Sequence, residues 1–97
     1  MTTLKTIIFD WRNYNWTKDQ EINEMFIKCT EKHINGIIKH RGYIYLNQIC
    51  EELGAEWNPN DDNPCIKRGD VDTVQLQCKK RMFVNDSFMI CVTTNDF

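Results

Sequence analysis

Between Lys18 and His40, Ile22, Phe26, Cys29, His33 and Ile37 recur at steps of four and three, with Met25 beside them, while Glu21, Lys28, Glu31, Lys32 and Lys39 fall mostly elsewhere. That period predicts an amphipathic helix supplying the main piece of the core. Thr17 and Gln20 have the spacing of a capping box, and Asp19 complements the helix dipole, so the helix is expected to begin near Lys18. A second apolar row, Ile27, Ile34 and Ile38, lies elsewhere on the circumference. One packed side does not require it, so a second covered face is implied, closed by this chain or by another molecule, of which a homodimer is the economical version. Gly36 costs about 1 kcal/mol relative to alanine in a helix interior, so either close packing requires it or the helix weakens there.

The helical pattern stops at Gly42, a residue suited to the left-handed closing position, and Tyr43-Ile44-Tyr45 favours an extended segment. A short second helix follows, with Asn47 as its expected cap, Glu51 and Glu52 near its positive end, Ile49 and Leu53 on one face, and Gly54 as its stop. Before the long helix, Leu4 to Phe9 reads as a strand, and Asp10 to Trp16 as an ordered loop. After the short helix, Ala55 to Asp70 holds both prolines and a dense Asn/Asp run and reads as a long loop, a class enriched in functional or mobile segments.

Val74 to Val84 alternates, with Val74, Leu76, Cys78, Met82 and Val84 on one face, and Phe88, Ile90 and Val92 share a face in the next run. Asn85-Asp86-Ser87 supplies turn residues between them. A three-residue turn would set Val84 beside Phe88 and Met82 beside Ile90, keeping both apolar rows on one side. Lys80 would then point to the core side, as a snorkelling residue, a paired one or a bulge. The sum is an α+β domain over residues 1–97: a long amphipathic helix and a short helix packed on a small antiparallel sheet with a C-terminal β-hairpin.

Composition changes this picture little. With 41% hydrophobic and 27% charged residues the chain matches ordinary globular usage, without an apolar run long enough for a membrane span or a signal peptide. The formal charge of −2 excludes a global basic field. Five cysteines at irregular spacing make a disulfide framework a poor explanation, and they read as reduced thiols in a cytoplasmic chain.

Three constellations carry candidate chemistry. Trp11, Tyr14 and Trp16 concentrate aromatics in a polar loop, where they either roof the core or anchor a partner. Lys79, Lys80 and Arg81, together with Lys39, His40 and Arg41, could contact phosphates, or else solubilise a sheet face and complement a helix dipole. Cys29 and His33 lie four apart on the long helix, as neighbouring ligands of a metal would, with a buried thiol beside a rim histidine as the plainer account. The Asn58, Asn60, Asp62 alternation lacks the glycine and glutamate of a calcium loop. Neither a nucleophile elbow nor a phosphate-binding glycine loop is present, so no enzyme and no cofactor are expected.

The run Gly42-Tyr43-Ile44-Tyr45-Leu46-Asn47-Gln48-Ile49-Cys50-Glu51-Glu52-Leu53-Gly54 resembles a segment of small uncharacterised bacteriophage and prophage proteins. The resemblance implies a phage or mobile-element origin and transfers no functional residue. The expected function is that of a non-enzymatic protein-binding module, a phage-borne accessory factor or inhibitor of a host enzyme, using Trp11, Tyr14, Trp16, Ile27, Ile34 and Ile38. The alternatives are a small nucleic-acid-binding protein using Lys79–Arg81 and Lys39–Arg41, and a metal-binding domain through Cys29 and His33.

Overall fold

The first strand, β1 (Thr2–Phe9), sends Ile7 and Phe9 into the core and turns Thr6 and Ile8 outward, the alternation that a sheet with one packed face requires. A computed structural model of the chain describes residues 2–10, 13, 15–60, 62–80 and 88–96. The elements that follow β1 are α1 (Gln20–Arg41), β2 (Tyr43–Tyr45), α2 (Leu46–Leu53), β3 (Cys65–Lys67), β4 (Val71–Lys80) and β5 (Phe88–Asp96). The architecture is α+β, as the hydrophobic pattern predicted. β5 lies between β1 and β4 in an antiparallel three-stranded sheet, and β2 pairs with β3 in a separate two-stranded one. Among the described residues, no helix is long and apolar enough to cross a membrane.

One hydrophobic cluster joins these pieces. Phe9, Val74, Ile90 and Val92 enter it from the large sheet, Ile27 and Ile34 from α1, Ile44 and Ile66 from the small sheet, and Ile49 and Leu53 from α2. α1 packs against β4, β2 and α2, so it is the element on which both sheets rest.

The centre of the side that α1 turns to the core is not the row the spacing favoured, although Phe26 and Ile37 of that row are half-buried and pack on the core's margin. Ile27, Ile34 and Ile38 are 1%, 0% and 6% exposed, whereas Ile22 and Met25 are 51% and 64% exposed and Cys29 and His33 face solvent. These isoleucines therefore belong to the interior of a single subunit and are not a contact face for a partner. The buried row runs Asn23, Ile27, Thr30, Ile34, Ile38, one residue on from the expected row and so rotated by about 100°. Two polar residues disguised it. Asn23 is wholly buried, yet its carboxamide accepts from the Thr17 amide and hydroxyl, both at 2.9 Å, and donates to the Thr17 carbonyl at 2.9 Å. Thr30 returns its hydroxyl to the Phe26 carbonyl at 2.8 Å. Both polar groups are thereby satisfied without water, which is what permits them to be buried.

Helix ends moved as well. Asp19, not Thr17, is the N-cap of α1, its Oδ1 accepting from the amides of Glu21 at 2.9 Å and Ile22 at 3.3 Å. In α2 the cap position is Tyr45 and Asn47 lies inside the helix. The first-turn amides of α2 are served from the Asn/Asp-rich segment: Leu46 donates to the Pro64 carbonyl at 3.0 Å and Asn47 to Asn63 Oδ1 at 2.9 Å. Glu51 and Glu52 fall in its last turn.

The C-terminal strands form the predicted hairpin in a different register. Phe88 pairs with Lys80, Ile90 with Cys78 and Val92 with Leu76. The shift from the expected pairing is four residues, an even number, so Val74, Leu76, Ile90 and Val92 still share the packed face. Met82, Val84 and the turn Asn85-Asp86-Ser87 lie outside the described residues.

Candidate functional site

At the C-terminal end of α1 the chain turns through Gly42, whose φ of 95° is left-handed and whose amide donates to the Ile38 carbonyl at 2.9 Å. That turn launches β2 at once, so the last helical cations and the first strand aromatics are neighbours. In β2 the burial alternates, Ile44 in and Tyr43 and Tyr45 out. Ile66 of β3 is directly opposite Ile44 and is also buried, Lys67 is opposite Tyr43, and Cys65 is opposite Tyr45. The outer face of this small sheet is therefore built from Tyr43, Tyr45, Cys65 and Lys67.

Arg41 and Arg68 flank that face. The Arg41 guanidinium lies 4.6 Å from the centroid of the Tyr43 ring, and its Nη2 donates to Gln48 Oε1 at 2.8 Å. Gln48 Oε1 also accepts from the Tyr45 amide at 3.1 Å, so one carboxamide ties the arginine to the start of α2. Arg68 Nη1 donates to the Lys39 carbonyl at 2.5 Å, satisfying an end of α1 that otherwise carries unpaired carbonyls. Tyr43 and Tyr45 are 41% and 42% exposed, with ring centroids 5.9 Å apart and planes at 79°. The resulting concavity is lined by Arg41, Gly42, Tyr43, Tyr45, Cys65, Lys67 and Arg68. It thus combines three cations and two phenol rings with no carboxylate, in a protein whose formal charge is −2.

The structure divides the residues proposed from sequence. Arg41 lines this face, Lys39 meets it through the carbonyl that accepts from Arg68, and Lys39 and His40 are exposed. Lys79 and Lys80 enter as backbone positions at the end of β4, and Arg81, Trp11 and Tyr14 lie outside the described residues. Trp16 is half-buried and packs on the core. Cys29 and His33 are exposed on α1, and His33 Nε2 is 3.6 Å from Glu52 Oε2. Among the described residues, no group of three or more His, Cys, Asp or Glu side chains converges as metal ligands would.

Sequence reasoning missed Lys67 and Arg68, because they sat in a stretch read wholly as loop. The signal that could have found them is the pattern Cys65-Ile66-Lys67-Arg68 ahead of the turn residues Gly69-Asp70, a short alternating strand behind a proline. A second groove, lined by Lys5, Thr6, Ile7 and Ile8 of β1 and by Gly54, Ala55 and Glu56, runs along the edge of the large sheet. The register shift between Thr3 and Lys5, together with Lys5 itself, whose Nζ is 4.7 Å from the Trp57 ring, marks that edge as one protected against strand addition.

In comparisons with known proteins the chain matches no family model, no curated protein and no solved structure.

Proposed function

We propose that this protein is a non-enzymatic binding module whose contact surface is the outer face of the β2–β3 pair together with the last turn of α1, directed at a polyanionic partner. The supporting observation is the segregation of Arg41, Lys67 and Arg68 around two half-exposed tyrosines without a carboxylate. A helix C-terminus accounts for Lys39, His40 and Arg41 through the dipole, but Lys67 stands on a strand and has no such role. Opposite-sign partners gain most from cations clustered beyond what the net charge supplies.

Heparin, a generic polyanion, tests this directly. The double variant Lys39→Gln/Lys67→Gln, both at exposed positions, should elute from a heparin column at distinctly lower salt than the parent. Lys28→Gln/Lys32→Gln, equally exposed and placed earlier on α1, should elute nearly unchanged. Equal shifts for the two pairs would mean that no particular face is used.

The outward row of α1 favours a protein partner, in an accessory or inhibitory role, or a second copy of the chain. Its support is the exposure of Ile22 and Met25, large apolar side chains on a helix. Light scattering of the parent and of Met25→Lys tests it: a larger-than-monomer mass that Met25→Lys reduces supports self-association through this row.

A further inference from the structure

We infer that the polyanion accepted by the β2–β3 face is single-stranded nucleic acid, with unpaired bases stacked on Tyr43 and Tyr45 and the backbone phosphates held by Lys67, Arg68 and Arg41; this rests on the polyanion reading above. Cations alone would suit any polyanion. What narrows the class is the pair of tyrosines on alternate, outward positions of β2, 41% and 42% exposed and bordered by the cations, with the Arg41 guanidinium already over the Tyr43 ring so that a base would join that stack from the ring's other side. An unpaired base offers a π-face to such a ring whatever its identity, and the adjoining phosphate meets a cation. Sulfated sugars and acidic peptides bring the charge without a flat π-face beside every anion.

The geometry also discriminates against a duplex, in which the bases are already stacked on one another. Reading a groove needs an element that enters it. Here the strands are three residues each, and the adjacent helix α2 is eight residues long with Glu51 and Glu52 exposed on it, carboxylates that would face phosphate. The 79° between the tyrosine planes means that the two rings cannot stack on the same base. They suit two successive bases splayed apart, a conformation open to a flexible single strand.

The arginines can serve while keeping their structural bonds. A guanidinium has five N–H donors; Arg41 donates from Nε to the Tyr43 carbonyl at 3.2 Å and from Nη2 to Gln48, and Arg68 donates from Nη1 to the Lys39 carbonyl. Lys67 and Tyr43 are directly opposite across the strands, so a base over the ring places its phosphate within the lysine's sweep. The plainer role for the tyrosines is support of the small sheet through side-chain packing. That role predicts a loss of stability on truncation with no change in ligand binding by the folded protein.

The test is fluorescence anisotropy of labelled 15-nucleotide mixed-sequence DNA, as a single strand and as the corresponding duplex, at low salt and over a salt series, with a thermal melt of every variant. The parent should bind the single strand more tightly than the duplex. Tyr43→Ala and Tyr45→Ala should each weaken it by about five- to 150-fold, the range that base stacking on an aromatic supplies. Tyr43→Phe, which keeps the ring, should stay close to the parent. Lys67→Gln should reduce the salt dependence by about 0.7 in the log–log slope, one phosphate contact on a single strand. If an alanine variant fails to fold, the parent's preference for the single strand over the duplex still decides the matter, because a face of cations alone would bind the more densely charged duplex at least as well. Equal affinity for duplex, or folded alanine variants that bind like the parent, would overturn the proposal. Heparin retention by the parent with no binding of the oligonucleotide would sink the single-strand assignment and leave the polyanion surface standing; failure of both probes would remove the surface too.

Discussion

Asn35 of α1 holds Val74 of β4 from both ends of its carboxamide: Oδ1 accepts from the Val74 amide at 2.9 Å and Nδ2 donates to the Val74 carbonyl at 2.9 Å. One turn back on the helix, Glu31 Oε2 accepts from the Leu76 amide at 2.8 Å. β4 is an edge strand, and its free side would expose a row of backbone groups to another chain. Helix side chains take the place of a missing neighbour strand there, which both docks α1 on the sheet and blocks further pairing.

Removal of that grip should therefore be felt in two observables. Asn35→Ala is expected to lower stability by about 1–3 kcal/mol, the cost of leaving backbone groups without partners in a half-buried place. Hydrogen exchange at the Val74 amide should accelerate in the variant. Denaturant titration and exchange measured by mass spectrometry check both; unchanged exchange at Val74 would mean that the carboxamide is not the group protecting it.

The rotation of α1 by one residue makes an opposed pair of substitutions. Ile34→Ala removes a fully buried side chain from the centre of the cluster and should cost about 2–5 kcal/mol. Met25→Ala, at a site 64% exposed, should stay within about 0.5 kcal/mol of the parent. Equilibrium unfolding of the two variants reads the difference, and a costly Met25→Ala would place that row against something.

These residues also mark where the sequence could be read and where it could not. The existence of both helices, the stop at Gly42 and Gly54, the strand at Leu4 to Phe9 and the face shared by Val74, Leu76, Ile90 and Val92 follow from local chemistry and period, and the structure has all of them. The choice between two rows of α1 rested on hydrophobicity alone, and the deciding residues, Asn23 and Thr30, are polar groups whose cost is cancelled by partners that no residue-by-residue scale contains. The β4–β5 register kept its parity because parity is fixed by which face is apolar, and that rule is equally satisfied by any shift of an even number of residues, four included. The candidate site was half legible. Its helix-end cations were candidates, whereas Tyr43 and Tyr45 were legible only as strand residues, and Lys67 and Arg68 reach the site through a pairing with β2, between positions twenty or more residues apart, that nothing local announces.

Two glycines should respond in opposite directions to the same change. Gly36 is inside α1, and a Cβ built there meets nothing within 4 Å, so Gly36→Ala should stabilise by about 0.5–1 kcal/mol. For a domain of this size that is a rise of about 2–8 °C in Tm. Gly54 has φ of 74°, and its Cβ would come within 2.6 Å of Asn15 Nδ2 and 3.0 Å of Asn13 Oδ1. Asn13 Nδ2 donates to the Leu53 carbonyl at 2.9 Å, so Gly54→Ala adds backbone strain and pushes on the side chain that closes α2, with an expected loss of about 1–2 kcal/mol or more. Thermal melts of both variants check the signs. A neutral Gly36→Ala would show that the helix has no slack there.

Alkaline pH should weaken the packing of α1 on β4 through Cys78. Its sulfur borders a cleft lined by Glu24, Lys28, Glu31, Lys32 and Leu76. Partial withdrawal from water, then the negative charges of Glu24 and Glu31, push the thiol above its ordinary 9.0, with Lys28 opposing. The folded protein thus keeps this proton at pH values where the unfolded chain has begun to release it. The contribution to stability is whole below the ordinary thiol range and is lost as pH rises through the folded-state value. Unfolding free energy measured in denaturant from pH 7 to pH 10 should therefore fall more steeply for the parent than for Cys78→Ser, which has no proton to lose there. At pH 8, iodoacetamide should label Cys78 more slowly in the native protein than in urea. Parallel pH profiles for parent and Cys78→Ser would show that the cleft does not hold the thiol in its neutral form.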